Sequence, residues 1–453
     1  MSAAPTLFLL TNVFPLSKGE EFIENEIEHL SRAFQRVIIV AAQTKPGDVV
    51  TRTVPDNVEV VTAGAVRPTG RAAIPAILSG LRHLPRSGVE RSAFSLKAPV
   101  LSREGMAETC RAAVRDAKVL AVDALFEERA RRSADALAPQ LPGLRLEPGS
   151  HAVIYSFWFH VQARLAMLLA EDLRARGVVV DRIVSRAHRY DLYESETVYG
   201  HIPQRRLLLE TLDGVFPVSE QGTRELRERW PGYADKISTR HLGTADPEEL
   251  AACSTTPFHL VSCSHLVPVK RVDRMPAILA GLRAKGIDAV WTHLGDGPEM
   301  ASVTRAVAAA GVEEWTDLRG YVHNTEIAQV ERDLRPSCFI NLSTSEGLPV
   351  SMMEVAALGI PIVATEVGGV AEIVHDGENG RLLPAGFTDQ QAVEALAWLA
   401  GLDENAFQEV CSASRRVWEA GFDQAKVYPA FCTEVLGAQE TPGAEEAPGA
   451  SEH

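Results

Sequence analysis

The stretch Ser345-Glu346-Gly347-Leu348-Pro349-Val350-Ser351-Met352-Met353-Glu354 sets two glutamates eight positions apart, across a glycine and a helix start. Just upstream, Cys338-Phe339-Ile340-Asn341-Leu342 is a short apolar run that reads as a buried strand. Pro349 suits the first turn of the following helix, and Leu358-Gly359-Ile360-Pro361 stops it, with glycine just past the last turn and proline beyond. A strand that turns directly into a helix leaves backbone N–H groups pointing out beyond the strand's carboxyl end. Open α/β sheets bind ligands there, and phosphate is the natural guest. Glu354 falls about one turn into the helix, within reach of sugar hydroxyls, while Glu346 stays in the loop. Neither carboxylate is expected to touch the phosphates.

Such a site needs a cation, and Leu266-Val267-Pro268-Val269-Lys270-Arg271 offers one after a second apolar strand, Phe258-His259-Leu260-Val261-Ser262-Cys263. A third strand, Ala289-Val290-Trp291-Thr292-His293-Leu294, runs into Gly295-Asp296-Gly297-Pro298-Glu299, a turn that opens a helix over about 300–310. Three strand ends with special residues converge on one rim.

Segments 261–273, 294–299 and 341–384 resemble the nucleotide-sugar half of retaining glycosyltransferases of family 4, the bacterial polysaccharide-building type. The resemblance implies an α/β chain with the GT-B fold, two Rossmann-like domains facing a central cleft. It also implies a hexosyltransferase that moves a sugar from a nucleotide diphosphate sugar to an acceptor hydroxyl with retention of configuration, and that requires no metal or other cofactor. Carried over, Glu346 contacts the donor sugar, Glu354 binds the ribose hydroxyls, and Lys270 neutralises the diphosphate. Gly347, Leu348 and Pro349 form the donor-binding turn, and Tyr321, in Arg319-Gly320-Tyr321-Val322, lies where the base is read. The family usually has an arginine five residues before the lysine, where this chain has His265. Imidazole is mostly neutral at pH 7, so Arg271 is the candidate substitute.

The rest of this half agrees: Ile362-Val363-Ala364-Thr365 reads as a strand, Val367-Gly368-Gly369 as a tight turn, and 370–374 as a short helix beside the site. Two glycosidase carboxylates flanking a scissile bond would have no use for a phosphate turn and a lysine, which argues for transfer over hydrolysis. No His/Asp cluster has metal-ligand spacing.

Composition bounds the alternatives. A chain of 453 residues exceeds one ordinary core, and 46% hydrophobic with 23% charged residues is typical of a globular protein. A net charge of -15 argues against nucleic acid as a partner. The six cysteines lack Cys-x-x-Cys spacing and read as reduced thiols of a cytoplasmic protein. Thr6-Leu7-Phe8-Leu9-Leu10 has no basic segment before it and reads as a first strand, not a signal peptide.

The expected organisation is an acceptor-side domain over 1–245 with a helical insertion at about 64–148, a linker at 246–257 and a donor domain at 258–420. A helix at 421–437 crosses back by resemblance, and 438–453, rich in Pro, Gly, Ala and Glu, is expected to be disordered. In the first domain Gly19 lies in a strand-to-helix loop expected near the cleft, where Glu20 and Glu21 read either as loop residues or as helix-start carboxylates. A strand at 182–185 runs into Arg186-Ala187-His188-Arg189-Tyr190-Asp191, which resembles the cleft histidine region of polysaccharide-building relatives. By that resemblance His188 meets the donor sugar or phosphate, and Arg186 and Asp191 meet the acceptor.

Residues 67–97 carry six basic residues against one acid, Glu90, with Ile74, Ile77, Leu78, Leu81 and Leu84 at helical spacing. That is the pattern of an interfacial helix on an anionic membrane, or of a solvated helix packing its stripe on its own domain and interrupted by Pro75 and Gly80. A peripheral position at the inner face of the cell membrane follows from the first reading, and a lipid-linked glycan acceptor from that reading together with the resemblance around His188. A soluble small-molecule acceptor, or a non-catalytic sugar-nucleotide binder, are the alternatives.

Overall fold

The computed structural model describes residues 4–17, 19–44, 48–64, 73–84, 103–197 and 199–438, without the side chains of 103–114. Two six-stranded sheets carry the fold. The first contains β1 (Thr6–Thr11), β2 (Val37–Ala41), β3 (Val58–Thr62), β4 (His151–Ser156), β5 (Val179–Ala187) and β6 (Gly214–Pro217), in the order β3-β2-β1-β4-β5-β6. The second contains β7 (Phe258–Cys263), β8 (Ala289–Leu294), β9 (Thr316–Leu318), β10 (Cys338–Asn341), β11 (Ile362–Thr365) and β12 (Gly380–Leu383), in the order β12-β11-β10-β7-β8-β9. Both are the doubly wound parallel order 3-2-1-4-5-6, which reverses direction between the first and fourth strands of each sheet. β1 pairs in parallel with β2 and β4, and β7 with β8 and β10.

The central strands are apolar along their length because helices cover both faces of such a sheet; Leu7 to Leu10 and Val37 to Ala41 are wholly buried. In chain order the helices are α1 (Ile23–Ala33), α2 (Ala73–His83), α3 (Arg103–Leu137), α4 (Val161–Ala175), α5 (Arg205–Thr211), α6 (Glu220–Arg229) and α7 (Met275–Ala284). They continue with α8 (Met300–Ala310), α9 (Asn324–Asp333), α10 (Val350–Ala357), α11 (Asp389–Ala400), α12 (Glu404–Gly421) and α13 (Gln424–Ala430).

By contacts the chain divides into two units. One takes the described chain up to Arg186, the piece ending at Val215, and the described residues from Tyr428 on. The other takes Ala187–Thr197 and Phe216–Val427. In the first, the chain following α13 forms a π-helical turn at Phe431–Val435, whose Phe431 packs on Tyr155. The expected disordered tail lies, beyond Ala438, outside the described residues.

α2 corrects one expectation. It runs through both Pro75, in its first turn, and Gly80 without interruption, and it packs on α3 of its own unit with only part of its apolar stripe, Ile77 and Leu84 being half-buried. Ala76 and Gly80 are its buried residues, and a Cβ at Gly80 would meet the Ala124 carbonyl oxygen of α3 at 1.9 Å, so the glycine is what lets the two helices touch. Ile74 and Leu78 are left 63% and 56% exposed. The remaining basic residues of 67–97, apart from Arg82, lie outside the described residues. No described helix is long and apolar enough to cross a membrane.

Candidate functional site

The order of the second sheet opens a crevice between β7 and β10, so the loops leaving those two strands become neighbours. Thr344 N donates to Val269 O at 2.8 Å across them. Arg271, in the left-handed region at φ 48°, is the main clamp: Nε donates to Leu342 O at 2.6 Å and Nη2 to Ser343 O at 3.1 Å. Its Nη1 reaches Ala385 O at 3.1 Å. The guanidinium expected to substitute in diphosphate binding is therefore spent on backbone carbonyls, where a planar fork fits best. Two glycines complete the mould. A Cβ at Gly368 (φ 58°) would lie 2.0 Å from Glu346 O, and one at Gly295 (φ 142°) 1.9 Å from Ser264 O.

Inside this frame Lys270 Nζ donates to Glu346 Oε1 at 2.7 Å, and Asn341 Nδ2 donates to the same oxygen at 3.2 Å. Glu346 and Leu348 are buried. Pro349 is the cap residue of α10, and Gly359 follows the helix at φ 75°. Glu354 is the fifth residue of α10, and burial pushes its carboxyl up to about 7. Ser262, Ser264, Lys270, Asn341 and Ser343 line a small cavity at these strand ends.

One residue at this rim was not anticipated. Glu331, on α9, which packs against α10, is 1% exposed, and neither carboxylate oxygen has a hydrogen-bond partner. Burial, reinforced by the neighbouring Glu354, raises its carboxyl well above the usual range. The same two carboxyls raise the Cys263 thiol, already raised by burial. A glutamate in a helix rich in polar residues looks solvated in sequence, and only its burial distinguishes it.

The segment after β5 reaches the same turn. Arg189 Nε donates to Ser345 Oγ at 2.8 Å, and a Cβ at Gly347 would lie 3.3 Å from Arg189 Cβ. Half-buried His188 thus stands one residue from the turn, and its backbone N–H donates to Asp191 Oδ1 at 2.6 Å. Asp191 is buried and holds this bend, so its carboxylate does not face out toward an acceptor. His265 and Tyr321 are exposed, on the loops after β7 and β9.

The remaining expected residues belong to the first unit. Arg186 has no exposed surface: it donates to Tyr155 Oη at 2.7 Å, pairs with Glu26 at 3.4 Å and stacks 4.0 Å over Phe431. It is a core cation, which corrects its expected place at an acceptor. Gly19, at φ 106°, donates to Glu21 Oε1 at 2.7 Å. Glu20 is neither a free loop residue nor a helix-start charge. Its carboxylate accepts from the backbone N–H groups of Asn12, Val13 and Phe14 at 2.7–2.8 Å and from Trp158 Nε1, so the loop after β1 carries its own anion. Among the described residues no cluster of His, Cys, Asp or Glu is arranged to hold a metal ion.

Comparisons with known proteins address this second sheet most directly. Residues 251–412 match the family Glycosyl transferases group 1. The putative colanic acid biosynthesis glycosyltransferase WcaL of Salmonella typhimurium is 25% identical over 270 residues, 58% of this chain and 66% of that protein. The amylovoran biosynthesis glycosyltransferase AmsK of Erwinia amylovora is 27% identical over 278 residues, 60% of this chain and 67% of that protein. The chain thus spans about two thirds of the length of these relatives. Among solved structures, the lipopolysaccharide outer core galactosyltransferase WaaB in its apo form superposes with a TM-score of 0.63 at 12% identity, over 96% of this chain and 99% of that one. With its two doubly wound sheets the chain has the GT-B fold, and its similarity to the glycosyl transferases group 1 family lies in the second sheet, over residues 251–412.

Proposed function

We propose that this protein is a retaining glycosyltransferase of family 4 that moves a sugar from a nucleotide diphosphate sugar to an acceptor hydroxyl in cell-surface polysaccharide assembly. The observation that carries the reading is the Lys270–Glu346 pair at the β7–β10 crevice, with Glu354 one turn into the next helix. Lys270 is the charge that exchanges its carboxylate for the donor diphosphate, and the backbone of Gly347 and Leu348 lines the phosphate side of the turn. Charge developing on the departing diphosphate is then met by an amino group and N–H dipoles already in place, the largest single contribution such a site can make. Glu346 faces the donor sugar, Glu354 takes the ribose hydroxyls, and His188 meets the sugar from the segment that abuts Gly347. The acceptor attacks from the face the diphosphate leaves, so configuration is retained, and no metal takes part.

The acceptor in this reading is a lipid-linked glycan, and the protein works at the cytoplasmic face of a membrane. Support comes from the outward apolar face of α2 and from relatives named for colanic acid and amylovoran biosynthesis. Thermal melting with UDP, GDP, ADP and TDP sugars tests the donor half. Stabilisation by one nucleotide family, lost in Lys270→Ala and Glu354→Ala, is expected; no stabilisation by any of them would defeat the reading. Unchanged activity with EDTA checks the absence of a metal, and a detergent-solubilised lipid-linked glycan set against free sugars separates the two acceptor classes.

A further inference from the structure

A diphosphate brings more than one negative charge to the turn after β10, yet the amino group there is already matched by Glu346 at 2.7 Å. Arg271 adds no reach, because its fork is held by the carbonyls of Leu342, Ser343 and Ala385. His265 contributes at most an exposed imidazole. A second guanidinium nonetheless stands at the turn. Arg189 donates to Ser345 Oγ at 2.8 Å and pairs with Glu196 at 2.9 Å, and Glu196 also accepts from the Ser345 hydroxyl. Its side chain is 36% exposed, and its Cβ lies against Gly347, where any other residue would crowd it.

The two cations have the same arrangement. Each is held by a carboxylate on one side and faces the same short loop, Lys270 through Glu346 and Arg189 through Glu196 and Ser345. A carboxylate is the poorer partner for a guanidinium when a diphosphate is at hand, since phosphate offers more charge and more acceptor oxygens to the same fork. We propose that Arg189 is a second diphosphate-binding residue of the donor site, kept in position by Glu196 and Ser345 until the nucleotide diphosphate replaces them. This rests on the donor reading given above and adds a residue to it, from the segment after β5 and not from the loop after β7.

The test is titration of the full chain with UDP, GDP, ADP and TDP and with the matching unphosphorylated nucleosides, followed by NMR. The variants are Arg189→Gln, Arg189→Lys and Glu196→Gln, each first checked for an unchanged melting profile. Arg189→Gln is expected to lose about tenfold or more in diphosphate affinity with nucleoside affinity held within about threefold; Arg189→Lys recovers part of the loss, and Glu196→Gln tightens the diphosphate. Equal losses for nucleoside and diphosphate would overturn the proposal and make Arg189 a prop for the loop, as would no loss at all. Wild-type protein that binds no nucleotide would defeat the donor reading itself, whereas tight wild-type binding left intact in Arg189→Gln defeats only the role of Arg189.

Discussion

Lys270 Nζ lies 2.7 Å from Glu346 Oε1, joining residues 76 positions apart in the two loops that flank the crevice of the second sheet. The lysine is a quarter exposed and the glutamate almost buried, so the pair is open to solvent on the cation's side. A ligand anion can therefore compete for Lys270 without unburying Glu346.

Lys270→Ala should have two separable effects. Glu346 keeps only Asn341 as a side-chain partner, a loss expected to cost about 1–3 kcal/mol in urea unfolding. Nucleotide diphosphate binding should fall much further, by a factor of about ten or more, in isothermal titration. A variant that binds the diphosphate as well as the wild type would remove Lys270 from the site.

Burial pushes the Glu354 carboxyl up to about 7 from an ordinary 4.5. The folded chain keeps that proton where the unfolded chain has lost it, so the group lowers stability as pH climbs from about 4.5 to about 7. Ribose hydroxyls donate to the carboxylate form, which accepts at both oxygens. Nucleotide affinity should accordingly rise with pH through about 7 in the wild type and stay flat in Glu354→Gln. A parallel pH profile in the two proteins would show that Glu354 is not the group being titrated.

Glu331 is buried without a hydrogen-bond partner, and its carboxyl is raised by burial and by Glu354. Replacing it by leucine should stabilise the fold by about 1–3 kcal/mol. Because the raised acid costs more as pH rises above the unfolded value, the gain should be larger in alkaline than in acidic buffer. Denaturant midpoints at two pH values measure both points, and a destabilised Glu331→Leu variant would contradict them.

Ile74 and Leu78 form an outward apolar face on α2. Ile74→Glu with Leu78→Glu should abolish co-sedimentation with anionic vesicles while leaving the melting temperature within about 1 °C, since exposed positions contribute little to stability. Wild-type protein that stays in the supernatant at low salt would end the membrane reading.

The parts of the site carried by one strand, one turn and one helix were legible in the sequence. Cys338 to Asn341, the glutamate turn and the glycine stop at Gly359 appear where turn chemistry and apolar runs put them. Two short strands have no clear sequence signal: β3 is only partly buried, and β9 has three residues, too few for a pattern to repeat. The charged residues were harder. Arg186 reads as a cleft residue by the resemblance of its segment, but its surroundings of Glu26, Tyr155 and Phe431 come from distant parts of the chain.

Sequence alone located the turns and strand ends of the candidate site, because glycine conformations, proline positions and strand ends are local properties of a few adjacent residues. Tertiary structure alone decided which partners each cation meets. Arg271, next to Lys270, is consumed by the carbonyls of a loop some 70 residues away, while Arg189 meets Ser345 across 156. The reason is physical: a charge is defined by its partners and its access to water, and in a doubly wound sheet both are set by strand order, which brings together the ends of strands far apart along the chain.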